Sequence, residues 1–299
     1  MLKRLNIYFK EMYPLISRLA VGMVLFFEIY FLVILTNGHF EFNIGISEIV
    51  GGFTIFGFLL FLRIADDFKD YKTDSKLFPE RPLPSGRVTK KDLKIVLIID
   101  IVLMVVFNIL FMNNLYYFLF LMFYGTLMSV WFFSRAKIQK SLPLALVTHN
   151  PIQLIINIYT ISFVAIKYNI PIINYANFLV LFSLYFDGLV WEIGRKIRAP
   201  EDETEYVTYS KLFGYKKPVM FILCIMFVDL ITSTLMVMEL FKGAIVGTIL
   251  GYIWFALRCR TFIKDPKKFQ IKSVVEQYMT ITEIYIVVLI VIFLVTRVF

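Results

Sequence analysis

Four carboxylates stand at the spacing DDxxDxxxD in Asp66-Asp67-Phe68-Lys69-Asp70-Tyr71-Lys72-Thr73-Asp74, where an apolar span over about 44–65 ends. In a helix Asp66, Asp70 and Asp74 would share one face, and like charges stacked that way repel unless a cation lies between them. Carboxylates are hard oxygen donors suited to Mg²⁺, which is commonly held by one or two carboxylates together with the phosphates of a substrate. The plain alternative is a solvated acidic helix end, partly neutralised by Lys69, Lys72 and Lys76. The position at a membrane exit, and the segment that follows, favour the ligand reading.

That segment is Phe78-Pro79-Glu80-Arg81-Pro82-Leu83-Pro84-Ser85-Gly86-Arg87-Val88-Thr89. Its prolines and glycine cannot continue a helix, so it is a structured loop that carries arginines beside the acids. Acid run and loop together resemble the UbiA-type intramembrane prenyltransferase superfamily, whose first signature reads NDxxDxxxD and is followed by an RPLxxG-like loop. Asp67, Asp70 and Asp74 match the three acids, and Asp66 stands where the family usually has Asn. Arg81-Pro82-Leu83-Pro84-Ser85-Gly86 matches the loop. The resemblance is close over 63–89 and elsewhere lies in architecture more than in letters. It implies Mg²⁺ as cofactor and a prenyl diphosphate as donor, with Asp66, Asp67, Asp70 and Asp74 around the metal and Arg81 on the diphosphate.

The elements that position these residues are membrane helices. The chain of 299 residues is 59% hydrophobic, and apolar runs long enough to cross a bilayer recur throughout. Nine are legible, at about 14–36, 44–66, 94–112, 115–134, 142–166, 172–192, 218–238, 243–259 and 279–298. The first is long, carries Arg18 and Glu28 and lacks a small-residue cleavage site, unlike a cleaved signal peptide. The expected fold is an all-α polytopic membrane protein. One domain spans 1–299, with about nine transmembrane helices around a central cavity open to the cytosolic side. UbiA-type enzymes also have nine.

Basic residues sort by connection. Of the 31 Lys and Arg, four lie in 3–18, nine in 63–94, three in 135–140, six in 195–217 and six in 258–272, leaving Lys167, Lys242 and Arg297 on the other side. The positive-inside rule then predicts a cytosolic N-terminus and an outer C-terminus, as in the plasma membrane of a prokaryote. This bias and contact with anionic membrane lipid account for the net charge of +9 without a nucleic-acid partner.

Ionisable groups inside spans are costly and mark candidate functional positions. Asp66 and Asp67 close the second span, Asp100 lies early in the third, His149, Asn150 and Gln153 early in the fifth, and Asp187 and Glu192 close the sixth. If these faces converge, they form a polar chamber with apolar walls deeper in the membrane. For Asp100, Glu28 and Asp229 the expectation is pairwise satisfaction between helices. His149 is expected to be a hydrogen-bonded helix residue, and Asn150-Pro151 to kink the fifth span.

In the resembled family a second acidic motif, DxxxD, follows the sixth span and holds a second metal across the diphosphate. This chain instead runs from Asp187 through Glu192, the cations Arg195, Lys196 and Arg198, and then Glu201 and Glu205 after Pro200. Three readings stand: Glu201 and Glu205, with Glu192, hold the second metal; the cations bind phosphate directly; or Glu192 and Lys196 are a helix-end pair and the acids are solvated. The resemblance implies transfer of a prenyl group to a small-molecule or lipid acceptor, with Arg81, Arg195, Lys196 and Arg198 steadying the departing diphosphate. Cyclisation of the prenyl chain and phosphoribosyl transfer to a polyprenyl phosphate remain open on the same fold. A transporter or channel is the alternative of another class.

Overall fold

The computed structural model describes residues 1–297. Residues 298 and 299, the end of the 279–298 stretch, lie outside the described residues, as does the side chain of Arg297. The described chain is helical and contains no strand. In order the helices are α1 Leu2–Glu11, α2 Leu15–Thr36, α3 Ile46–Lys69, α4 Tyr71–Leu77, α5 Lys90–Phe111, α6 Leu115–Ser129, α7 Arg135–Ile138, α8 Leu142–His149, α9 Ile152–Lys167, α10 Tyr175–Gly194, α11 Tyr209–Phe213, α12 Lys216–Leu240, α13 Ile245–Lys264 and α14 Ile271–Arg297.

Eight helical segments among the described residues are long and apolar enough to cross a membrane. Their outward faces are apolar too: Ile98, Ile99, Val102, Ile109 and Leu110 of α5, and Val246, Leu250 and Leu257 of α13, are all exposed. Water would not tolerate so much contiguous apolar surface, whereas lipid requires it. The chain is an integral membrane protein. The fourth predicted span, 115–134, differs from expectation. Its helix α6 stops at Ser129 after 15 residues, about 22 Å of rise. Trp131, Phe132 and Phe133 then turn left-handed, with φ of 55°, 48° and 56°. Non-glycine residues pay roughly 1–2 kcal/mol each for that conformation. Contacts repay part of it: Tyr124 meets Phe132 edge-on at 5.4 Å, and the Lys69 ammonium lies 4.7 Å from the Trp131 ring. In the fifth span the expected break is present. Asn150 and Pro151 separate α8 from α9.

The described chain packs as two compact units, one of residues 1–29 and 43–135 and the other of 30–42 and 136–297. In the first unit α3 is central. Of its most apolar stretch 72% is buried, against 22% for α5, so α5 forms the outer layer. The core there joins Tyr8 and Tyr13 to Leu60 and Ile64 of α3, Leu83 and Val88 of the proline loop, and Leu93 of α5. Thr89 caps α5: its hydroxyl accepts from the Asp92 amide, and the Asp92 carboxylate accepts from the Thr89 amide, both at 3.2 Å. Asp92 also receives a two-pronged bond from Arg4, at 2.6 and 2.9 Å, which fastens α1 across the start of α5. In the second unit α10, α12, α13 and α14 enclose a core that includes Ile193, Val219, Ile222, Phe255, Phe262 and Val275.

Candidate functional site

The helix that carries the acids does not run straight through them. It ends at Lys69, and Asp70 (φ −103°, ψ 9°) is both its last cap and the residue from which α4 restarts. Asp66, Asp70 and Asp74 are therefore not one stripe on a continuous helix, as the spacing suggested. Asp66 points outward, half exposed, and pairs with Lys69 at 2.6 Å. Asp67 turns inward and is 5% exposed. Its two oxygens accept from the Tyr8 hydroxyl at 2.6 Å and from Arg63 at 2.5 Å. Asp74 accepts from Arg81 at 2.8 Å, and the Arg81 guanidinium stacks 4.0 Å from the Phe78 ring.

Asp70 alone of the four keeps its side chain free of any hydrogen bond or ion pair among the described residues. Burial raises its pKa, and the charges of Asp66 and Asp74 add to that, while Lys69 and Arg135 pull the other way. The Tyr8 hydroxyl is likewise pushed up, by burial first and then by Asp67. Lys72 and Lys76 make no ion pair with the acids.

The proline loop is folded back on itself. Gly86 holds φ at +76°, a conformation that a side chain would resist, and its amide donates to the Leu83 carbonyl. The Val88 amide donates to the Pro82 carbonyl. Arg87 ties the loop to α1 through Glu11, at 2.5 and 2.9 Å. Arg81 is thereby held over Asp74 from a rigid support.

No three His, Cys, Asp or Glu side chains among the described residues are grouped as they would be around a metal held by protein alone. The donor set does fit a cation of the Mg²⁺ kind, which needs only one or two carboxylates and fills its shell with phosphate oxygens and water. Asp70 offers a carboxylate that no protein cation occupies, and Asp74 sits one helical turn on. Tyr8, Arg63 and Arg135 are contributors that the motif does not name. Arg63 was legible as the i−4 partner of Asp67. Tyr8 was not, since it is 59 residues away in sequence.

In the second unit, α10 ends in a clamp. Glu192 accepts from Arg195 at 2.6 Å and pairs with Lys196 at 2.8 Å. The helix-end pair between Glu192 and Lys196 is thus formed, with Arg195 added to it and its guanidinium 5.1 Å from the Trp191 ring. Arg198 donates to the Thr204 hydroxyl at 2.9 Å. Glu201 and Glu205 do not share a helical face. A short turn over Pro200–Asp202 gives way to extended chain at Glu203, whose φ is −68° and ψ 135°. Glu201 pairs with Lys267 at 2.7 Å, while Glu205 is exposed and has no partner among the described residues. The ordered carboxylate of this loop is Glu203, which accepts from the Thr208 and Ser210 hydroxyls. His149 bonds the Thr148 hydroxyl at 3.0 Å, as a helix residue. The Asp229 carboxylate accepts from Ser233 on its own helix at 3.0 Å, so its satisfaction is within one helix, not between two.

No protein-family model matches the chain, and no curated protein matches it. A solved structure of a digeranylgeranylglyceryl phosphate synthase in membranes does match, with a TM-score of 0.66 and 17% identity over 97% of this chain and 98% of that one. The likeness runs over nearly the whole of both chains, and the protein has the fold of that synthase structure.

Proposed function

We propose that the protein is an intramembrane enzyme that transfers a prenyl group from a prenyl diphosphate to a small-molecule or lipid acceptor. The observation that carries this reading is the acid and arginine cluster at the end of α3, in which Asp70 is left without a basic partner while Arg81 is held over Asp74. The likeness to the digeranylgeranylglyceryl phosphate synthase structure supports it. Mg²⁺ held by Asp70 and Asp74, with Asp67 behind them, would supply charge for the diphosphate as it departs. Arg81 would add a fixed cation on the same group, and paired guanidinium donors suit phosphate geometry. The apolar helices would keep water from the allylic cation left behind. A glycerol phosphate lipid is the first acceptor to try. The test is mass spectrometry of products from the purified protein with Mg²⁺, a panel of prenyl diphosphates and a panel of acceptors. A prenylated acceptor is expected. Intact donor in every combination overturns the reading.

Arg195, Lys196 and Arg198 are proposed as further phosphate contacts in place of the family's second acidic motif, with Glu192 holding the first two ready. Arg195→Ala with Arg198→Ala is then expected to weaken donor use by about 1.5–3 kcal/mol, the scale of hydrogen bonds to charged groups. That is a rise in apparent KM or a fall in kcat of about tenfold or more. A correctly inserted double variant with wild-type turnover would leave these cations a role in topology alone.

The sorting of basic residues supports a cytosolic N-terminus. With Cys224 and Cys259 replaced, Ser85→Cys should react with an impermeant thiol reagent only from the cytosolic side and Glu41→Cys only from outside. The reverse pattern would overturn the orientation.

A further inference from the structure

Three buried polar side chains lie along α5, and two are satisfied. Asp92 holds Arg4 at 2.6 Å, and Asn108 donates to the Thr54 hydroxyl at 2.8 Å and to the Met104 carbonyl at 2.9 Å. The third, Asp100, is the exception. It is 6% exposed, and its Oδ2 is buried without a hydrogen-bond partner. The expectation that a neighbouring helix would pair it is not met. The nearby donor is already used, since the Tyr13 hydroxyl bonds the Phe56 carbonyl at 2.6 Å. Arg18 lies against the Tyr13 ring at 5.8 Å and makes no ion pair with Asp100.

The backbone is shaped around this acid. A Cβ on Gly57 of α3 would lie 2.8 Å from Asp100 Oδ1, so only glycine lets the carboxyl sit against α3. Asp100 also lines a groove of about 330 Å³, together with Leu15 and Leu19 of α2, Phe53 and Leu60 of α3, and Ile99 and Leu103 of α5. All of these belong to the first unit. Asp100 is six residues past Lys94, the last charge of the helix start, about 9 Å of rise, and so lies within a hydrocarbon core about 30 Å thick. A carboxyl inside the hydrocarbon core is costly, and a leucine would cost nothing there.

We propose that this groove is a second, lipid-facing binding site that takes an amphiphile whose polar end is a hydrogen-bond donor, an alcohol or a primary amine, with Asp100 accepting from that end and the apolar walls of α2, α3 and α5 holding the tail. The donor requirement follows from the acid itself. An ionised carboxylate only accepts, and a protonated one still has acceptor capacity to fill. An ionised Asp100 repels a carboxylate-headed amphiphile, so that head group is disfavoured. The volume lies at the lower end of the range for small-molecule sites, which fits one chain and not two. The site is independent of the acids at the end of α3, and its readout does not depend on prenyl transfer.

The test uses a photoactivatable diazirine analogue of dodecanol on the full-length protein in nanodiscs, with labelled residues mapped by mass spectrometry. Labelling should fall on Leu19, Phe53 or Leu103, and dodecanol and dodecylamine should compete while dodecanoate does not. Asp100→Leu should lower labelling by about tenfold or more, the loss of one hydrogen bond to a charged group. Asp100→Asn keeps size and an acceptor oxygen, so it should still admit the alcohol while losing its preference for the amine. If dodecanoate competes as well as dodecanol, or Asp100→Leu and Asp100→Asn both label like the native chain, the groove is ordinary lipid-facing surface and the proposal fails. Labelling that falls elsewhere on the chain, with Leu19, Phe53 and Leu103 unlabelled, would equally overturn it.

Discussion

Asp70→Asn is expected to lower kcat/KM for the prenyl donor by about 100-fold or more, close to 3 kcal/mol of lost transition-state stabilisation. The same change should leave thermal stability unchanged or slightly raised. Asp70 makes no bond that its removal would break, and burial opposes its ionised form. That split, between activity lost and stability kept, separates a ligand from a structural acid. An unchanged donor kcat/KM at low Mg²⁺ would remove Asp70 from the site. A matching loss of stability would mark it as structural.

Arg63→Met should have the largest effect on stability. It leaves Asp67, 5% exposed, with the Tyr8 hydroxyl as its remaining bond. Breaking a buried ion pair by removing one partner costs about 3–5 kcal/mol, and the 29% exposure of the Arg63 side chain places this case at the lower end. Adding Asp67→Asn to Arg63→Met should recover more than half of the loss, because the uncompensated charge goes with it. Unfolding of the four proteins in mixed detergent micelles measures this cycle. Purely additive losses would show that the two side chains are not coupled.

What was legible in the sequence is what local chemistry determines. The prolines and Gly86 of the loop fix a turn on their own, so its position could be read directly. The break at Asn150-Pro151 follows from a missing amide. The apolar runs give the long helices because lipid demands that each backbone group be paired within its own segment.

What was not legible depends on partners remote in the chain. The break at Asp70 has no proline or glycine to announce it. The left-handed turn at Trp131–Phe133 contradicts the preference of bulky residues and is supported by contacts from Lys69 and Tyr124. Nothing in the spacing of Glu201 and Glu205 reveals that Glu203, between them, takes the hydroxyls of Thr208 and Ser210.

The central claim is that the acids at the end of α3 grip a prenyl diphosphate through a divalent cation. Release of diphosphate from geranylgeranyl diphosphate by the purified protein, measured with Mg²⁺ and again with a chelator, tests it most directly. The account predicts release with Mg²⁺, its loss on chelation, and its loss in Asp70→Asn with the metal present. Release that is indifferent to Mg²⁺ and to Asp70 would contradict it.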